Sequence, residues 1–281
     1  MKKLKQVLTI IIWPIIFIVG QIFIKYPFVA YFNSLEFQTL KKQFPNLTNN
    51  QLNEKLLDYQ KDITYQDSLN KFINEKALII TLITFIIFGF IFYRIYKKYR
   101  KEKIQINIKN SYKLAIVGIS ISLFYNIFIY YLNNIVHITD NYYISDIPLI
   151  IQILTTGLMG PILEELLFRG IVFNRLRQMT SLNKSTLFTS ILFALFHLPN
   201  VVNAIYAFIL SFILIKVYLK YNTIKTPIII HVFANITTCI YLPILLDNNL
   251  VISCILLIIS ILNIAFLQKI KINCKKGLQK F

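Results

Sequence analysis

Long apolar stretches separated by short, strongly basic connections run through the whole chain. Several of these stretches reach the length an α-helix needs to cross the hydrocarbon of a bilayer. Eight spans are expected, roughly 6–32, 77–93, 112–132, 148–172, 185–198, 201–219, 227–246 and 250–268. The fifth is short, and Pro199 just beyond it predicts a bent or broken helix. In lipid every backbone polar group must be satisfied internally, so the pattern predicts an all-α polytopic membrane bundle of about eight transmembrane helices.

The basic residues alternate with the spans. Lys2, Lys3 and Lys5 open the chain, and the 94–113 linker has eight basic residues against Glu102. Arg169, Arg175, Arg177 and Lys184 follow, then Lys216, Lys220 and Lys225, then Lys269, Lys271, Lys275, Lys276 and Lys280. The intervening regions are neutral or acidic: 33–76 balances six Lys against six acids, and 133–147 carries Asp140 and Asp146. With eight spans every short basic connection falls on one side, so both termini are expected in the cytoplasm. Seven spans would break the alternation.

Composition supports the membrane reading. The 281 residues are 56% apolar with mean hydropathy +0.61 and 15% charged, against about 25% charged in a soluble domain. The net charge of +18 would suit nucleic acid, but its placement in short connections makes it a topology signal, and no nucleic-acid partner is expected. Cys239, Cys254 and Cys274 have no C-x-x-C spacing, which argues against a disulfide framework or a zinc–thiolate site. The N-terminus imitates a signal peptide, but its apolar stretch is longer than an h-region and no A-x-A site follows, so it is expected to stay as the first helix. The chain is expected to be a single integral membrane domain, 1–281, in a bacterial cell membrane. The 33–76 segment has Leu52, Leu56, Leu57 and Tyr59 at loosely helical spacing and predicts an extracytoplasmic amphipathic insertion of one or two helices. Its Asn46-Leu47-Thr48 triplet reads as chance.

Chemistry concentrates in a few polar residues inside apolar spans. Glu164 and Glu165 interrupt an uncharged run that begins at Pro148. A carboxylate at bilayer depth costs roughly 2.5–3.5 kcal/mol even on the insertion scale, so intramembrane acids point to function. On a helix Glu165 faces Arg169, four residues on, and the pair can neutralise itself; Glu164 points about 100° away with no local partner. An unpaired buried carboxylate is a candidate proton acceptor. Phe193 and His197 share a spacing of four, as do His231 and Asn235. Counted from the basic connections at 1.5 Å per residue, Glu164 lies about 16 Å deep, His197 about 20 Å, His231 about 9 Å and Asn235 about 15 Å. Overlapping depths predict one embedded site, opening toward the cytoplasm. His137, in the 133–147 turn, carries no role.

Glu164-Glu165-x-x-x-Arg169, Phe193-x-x-x-His197 and His231-x-x-x-Asn235 resemble, in order, the three motifs of the CPBP family, also called the CAAX-protease or Abi family of intramembrane proteases. That family includes type II prenyl-protein endopeptidases and bacterial relatives known as bacteriocin self-immunity proteins. Pro161 and Phe168-Arg169-Gly170 look like part of the first motif, and the resemblance covers a catalytic core at roughly 145–250. It implies an intramembrane peptidase, a hydrolase in which Glu164 and His197 activate water, His231 and Asn235 stabilise the oxyanion, and Glu165, Arg169 and Phe193 support the site. No cofactor is favoured; if a zinc ion is bound, Glu164, His197 and His231 would hold it. The partners expected are the lipid bilayer and a peptide or membrane-protein substrate. Two other functions compete: a non-catalytic immunity or regulatory scaffold with the same fold, and a transporter using the glutamates as a cation site. A scaffold has no need of Glu164, and a transporter would show paired broken helices in two halves.

Overall fold

The computed structural model describes residues 2–99, 111–136, 147–245 and 250–266. The rest of the basic linker between 99 and 111, His137 with its neighbours to 146, and the tail from 267 lie outside the described residues. Within the described residues there are helices and no strand. They are α1 (Lys2–Gln43), α2 (Asn49–Tyr59), α3 (Ile63–Glu75), α4 (Ala77–Tyr99), α5 (Ser111–Val136), α6 (Leu149–Arg177), α7 (Leu182–Leu195), α8 (Val201–Tyr221), α9 (Lys225–Leu245) and α10 (Leu250–Phe266).

Five of these, α1, α4, α5, α6 and α8, are long and apolar enough to cross a membrane. The protein is a polytopic helical bundle. α1 and α4 turn large apolar side chains outward, with Ile22, Phe23, Ile86 and Phe90 each more than 60% exposed. Such a surface is stable only against lipid, because in water a patch this large would drive association. α7 is the short one. Its 14 residues rise about 21 Å, less than the hydrocarbon thickness, so it enters the bundle without crossing it alone.

The first helix is longer than the apolar run that predicts it. α1 runs to Gln43 without a break, although Pro14 and Pro27 lie inside it. The extension persists because Phe32, Phe37 and Leu40 bury one face against Leu56, Tyr59, Tyr65 and Leu69 of α2 and α3. These three helices make a small cap at one end of the bundle. Thr48 caps α2 and shares a capping box with Gln51, which gives the N-x-T triplet a structural job. Asp62 caps α3 by accepting the Thr64 N–H at 2.9 Å.

α6 sits at the centre. α4 packs along its second half, α9 along its first half, and α1 and α7 close the remaining sides. Every residue from Leu166 to Phe173 is buried, as expected for a helix apolar all round. Phe88, Phe92 and Tyr96 of α4, Phe193 of α7 and Ile215 of α8 pack on it. α5 lies against α9 and α10. Gly118 is where α5 comes closest to α9, with the Ile230 carbonyl occupying the place a Cβ would need.

Candidate active site

The central helix is irregular on both sides of its glutamates. α6 has π-helical turns at Ile153–Met159 and Leu166–Phe173, flanking an α-helical turn at Gly160–Glu165. Pro161 explains the first irregularity. It has no N–H, so no i−5 bond reaches the Thr156 carbonyl, while Gly160 bonds to Thr155. The orphan carbonyl is filled from another helix: Asn235 of α9 donates from Nδ2 to Thr156 O at 3.1 Å. Gly157 lets α9 come close, since a Cβ there would lie 2.9 Å from the Ile236 side chain.

Glu165 is fully buried and its Oε1 accepts twice. Arg169 Nη1 donates at 2.8 Å, and His231 Nδ1 lies at 2.9 Å. Arg169, also fully buried, gives Nη2 to the Ser211 carbonyl of α8 at 3.2 Å and lies 4.7 Å from the Phe193 ring centroid. The predicted i, i+4 pair is therefore present, and it ties α6 to α8 and α9 as well. The His231 contact is what sequence reasoning missed.

Glu164 faces a different environment. It is about a quarter exposed, and His231 Nε2 lies 3.7 Å from its Oε2. That is beyond hydrogen-bond distance, and Oε2 is buried without a hydrogen-bond partner. His231 thus sits between the two carboxylates, Nδ1 toward Glu165 and Nε2 toward Glu164.

His197 does not continue the helix as its spacing suggested. α7 ends at Leu195, and His197 lies in the turn before Pro199 and the Asn200 cap of α8. Its link to Phe193 survives in another form: Nδ1 is 2.8 Å from the Phe193 carbonyl. A carbonyl can only accept, so Nδ1 carries the proton, and neutral His197 keeps a lone pair on Nε2. Phe193 itself is buried, with its ring 4.8 Å from that of His197, 5.8 Å from that of His231 and edge-on to Phe168.

Glu164, His197, His231 and Asn235 all line one cavity of about 650 Å³. Its direction corrects an expectation. The lining runs past Thr155, Thr156 and Thr84 to Lys25, Ile73, Asn74, Ala77 and Ile147, at the end of the bundle that carries the α2–α3 cap. No residue of the basic ends of α4, α6 or α8 lines it. The site therefore leads away from the basic connections. Phe168, Arg169 and Phe193 fill the volume on the other side of the glutamates and close that direction. Among the described residues no three His, Cys, Asp or Glu side chains gather as metal ligands, so Glu164, His197 and His231 are not arranged as a three-ligand site.

Residues 146–237 match the family model described as type II CAAX prenyl endopeptidase Rce1-like. The match spans α6 to the middle of α9 and so includes every residue of the cluster just described. No curated protein and no solved structure matches the chain.

Proposed function

We propose that this chain, whose residues 146–237 match the CAAX-protease family, is an intramembrane endopeptidase that hydrolyses a peptide or a membrane-associated protein with water activated by Glu164 and His197. The observation that carries this reading is the Glu164 carboxylate, a quarter exposed and without a hydrogen-bond partner on Oε2, at the wall of a cavity shared with two imidazoles and a carboxamide. A carboxylate without a donor in a half-enclosed site can accept a proton from a water there. His197 Nε2 offers a second acceptor.

In this mechanism a water in the cavity attacks the substrate carbonyl and passes its proton to Glu164 or His197. The tetrahedral oxyanion takes hydrogen bonds from Asn235 and His231. Asn235 has a second Nδ2 hydrogen left after serving Thr156. His231 can donate from Nε2 while Nδ1 donates to Glu165 only as the imidazolium. Glu165 and Arg169 fix the plane of that ring, as a buried carboxylate does for the histidine of a hydrolytic triad. The proton then goes to the leaving amine. None of these steps asks for a metal ion.

The test uses full-length protein in lipid nanodiscs with internally quenched peptides, one ending in a farnesylated CAAX sequence and one its unprenylated twin. Cleavage should disappear in Glu164→Gln while the melting temperature stays within about 2 °C of the parent's. Full activity in Glu164→Gln removes that residue from the mechanism. A chelator should leave cleavage intact; restoration of a chelated enzyme by one zinc per chain would replace direct water activation and leave the peptidase assignment standing.

A further inference from the structure

Lys25 is the only charged residue between Gln6 and Leu35. It lies in α1, outside the segment that matches the family. A lone charge in an apolar membrane helix is costly, and it persists where it has a partner, a water-filled cavity or a function. Among the described residues its ammonium has no ion pair or hydrogen bond. It does line the cavity that contains Glu164. Of the Lys, Arg, Asp and Glu side chains, only Lys25 and Glu164 line that cavity.

Their separation follows from packing. Phe17 stacks edge-on against Phe88 with ring centroids 5.1 Å apart. The next residue of α4, Gly89, lies against Leu163, which would be 3.7 Å from a Cβ at that position. Phe17 is therefore level with the glutamates. Lys25 lies eight residues farther along α1, a rise of about 12 Å toward the cap. An extended peptide covers that span with roughly three to four residues. Gln21, one turn before Lys25, and Thr84 on the facing helix α4 supply polar wall between the two charges, and Thr81 lines the cavity level with Lys25.

We propose that Lys25 is a specificity residue that takes a carboxylate of the peptide at the cap end of the cavity, holding a bond roughly three to four residues away against Glu164. The inference rests on the peptidase reading for its consequence, but binding can be measured without turnover. The carboxylate is either the chain terminus or an Asp or Glu side chain. An ammonium that only snorkels toward lipid headgroups makes the opposite forecast, namely that its charge is irrelevant to peptide binding.

The experiment uses full-length Glu164→Gln protein in nanodiscs of neutral lipid and pools of fluorescent nonapeptides. One pool has a free C-terminus and no Asp or Glu; a second is amidated and contains Asp or Glu; a third is amidated and neutral. Binding of at least one acidic pool should be tenfold or more tighter than that of the neutral pool. Adding Lys25→Gln should remove the difference, and Lys25→Arg should keep it. Which acidic pool wins identifies the source of the carboxylate. Equal binding of all pools, no binding of any, or a preference that survives Lys25→Gln would overturn the proposal. Turnover by Glu164-containing protein is read separately: a Lys25→Gln enzyme should show KM raised about tenfold with kcat within twofold. If no pool is cleaved, the peptidase reading fails while the binding result still decides Lys25.

Discussion

A single oxygen, Oε1 of Glu165, takes both the Arg169 guanidinium and His231. All three side chains are almost fully buried. Removing one partner leaves an uncompensated charge in an apolar interior, at a cost of about 3–5 kcal/mol. Glu165→Ala and Arg169→Ala should each lower the thermal midpoint strongly, and the double variant should lose much less than the sum of the two. Thermal unfolding in detergent checks this; strictly additive losses would argue against the pairing. Part of this was legible because it is local. An i, i+4 Glu–Arg pair on one helix follows from 3.6 residues per turn. The His231 contact joins positions 66 apart in sequence, and no periodicity connects α6 to α9. Depth along the spans brings His231 to the same layer, but depth says nothing about which face of which helix meets which. For Asn235 there was a readable hint: Pro161 had to leave a carbonyl open on the preceding turn.

Among the elements, apolar run length located the helices well and their ends poorly. α1 outran its expected end because its last turns bury Phe37 and Leu40 in a cap that only tertiary contact defines. α7 stopped at Leu195, before His197, because the turn into α8 starts there. The π turns of α6 were foreshadowed only by Gly160-Pro161. The contact between α5 and α9 was not foreshadowed at all. It combines the Gly118 approach with a polar rung in which the Ser122 and Thr238 hydroxyls lie 2.8 Å apart and Asn126 donates to both the Ser122 carbonyl and its hydroxyl. Interhelical hydrogen bonds and small residues are how membrane helices hold register when lipid is as apolar as their side chains. Gly118→Ala tests the consequence for the site. Its methyl would meet the backbone carbonyl of Ile230, the residue before His231, and backbone cannot rotate aside as a side chain can. α9 would have to move, taking His231 off Glu165. Peptide cleavage should fall at least tenfold with little change in the amount of folded protein. Unchanged cleavage would show that α9 tolerates displacement and that the His231–Glu165 distance is not critical.

For the whole molecule, two facts pull in different directions until combined. The basic ends of α4, α6 and α8 lie on the side that the positive-inside rule would put in the cytoplasm. The cavity leads to the other end, under the α2–α3 cap. Depth counted from the basic side put the opening there, but a distance from one surface does not say which surface is open. Together the two facts predict a site supplied from outside the cell. The chain carries its own reporter, since Cys239 lines the cavity and is a free thiol. With Cys254 and Cys274 replaced by serine, a membrane-impermeant thiol reagent added to intact cells should label Cys239. Ile63→Cys at the start of α3, 76% exposed, should label on the same side when Cys239 is also replaced. A cysteine placed in the 94–113 linker should react only after permeabilisation. If Ile63→Cys labels from outside and Cys239 does not, the cavity is closed to that face and substrate must reach it through lipid. If all three positions reverse, the bundle is inverted and the same cavity opens to the cytoplasm. The geometry around Glu164 is unchanged in either case, so the labelling decides the side from which a peptide comes without touching the chemistry that would cut it.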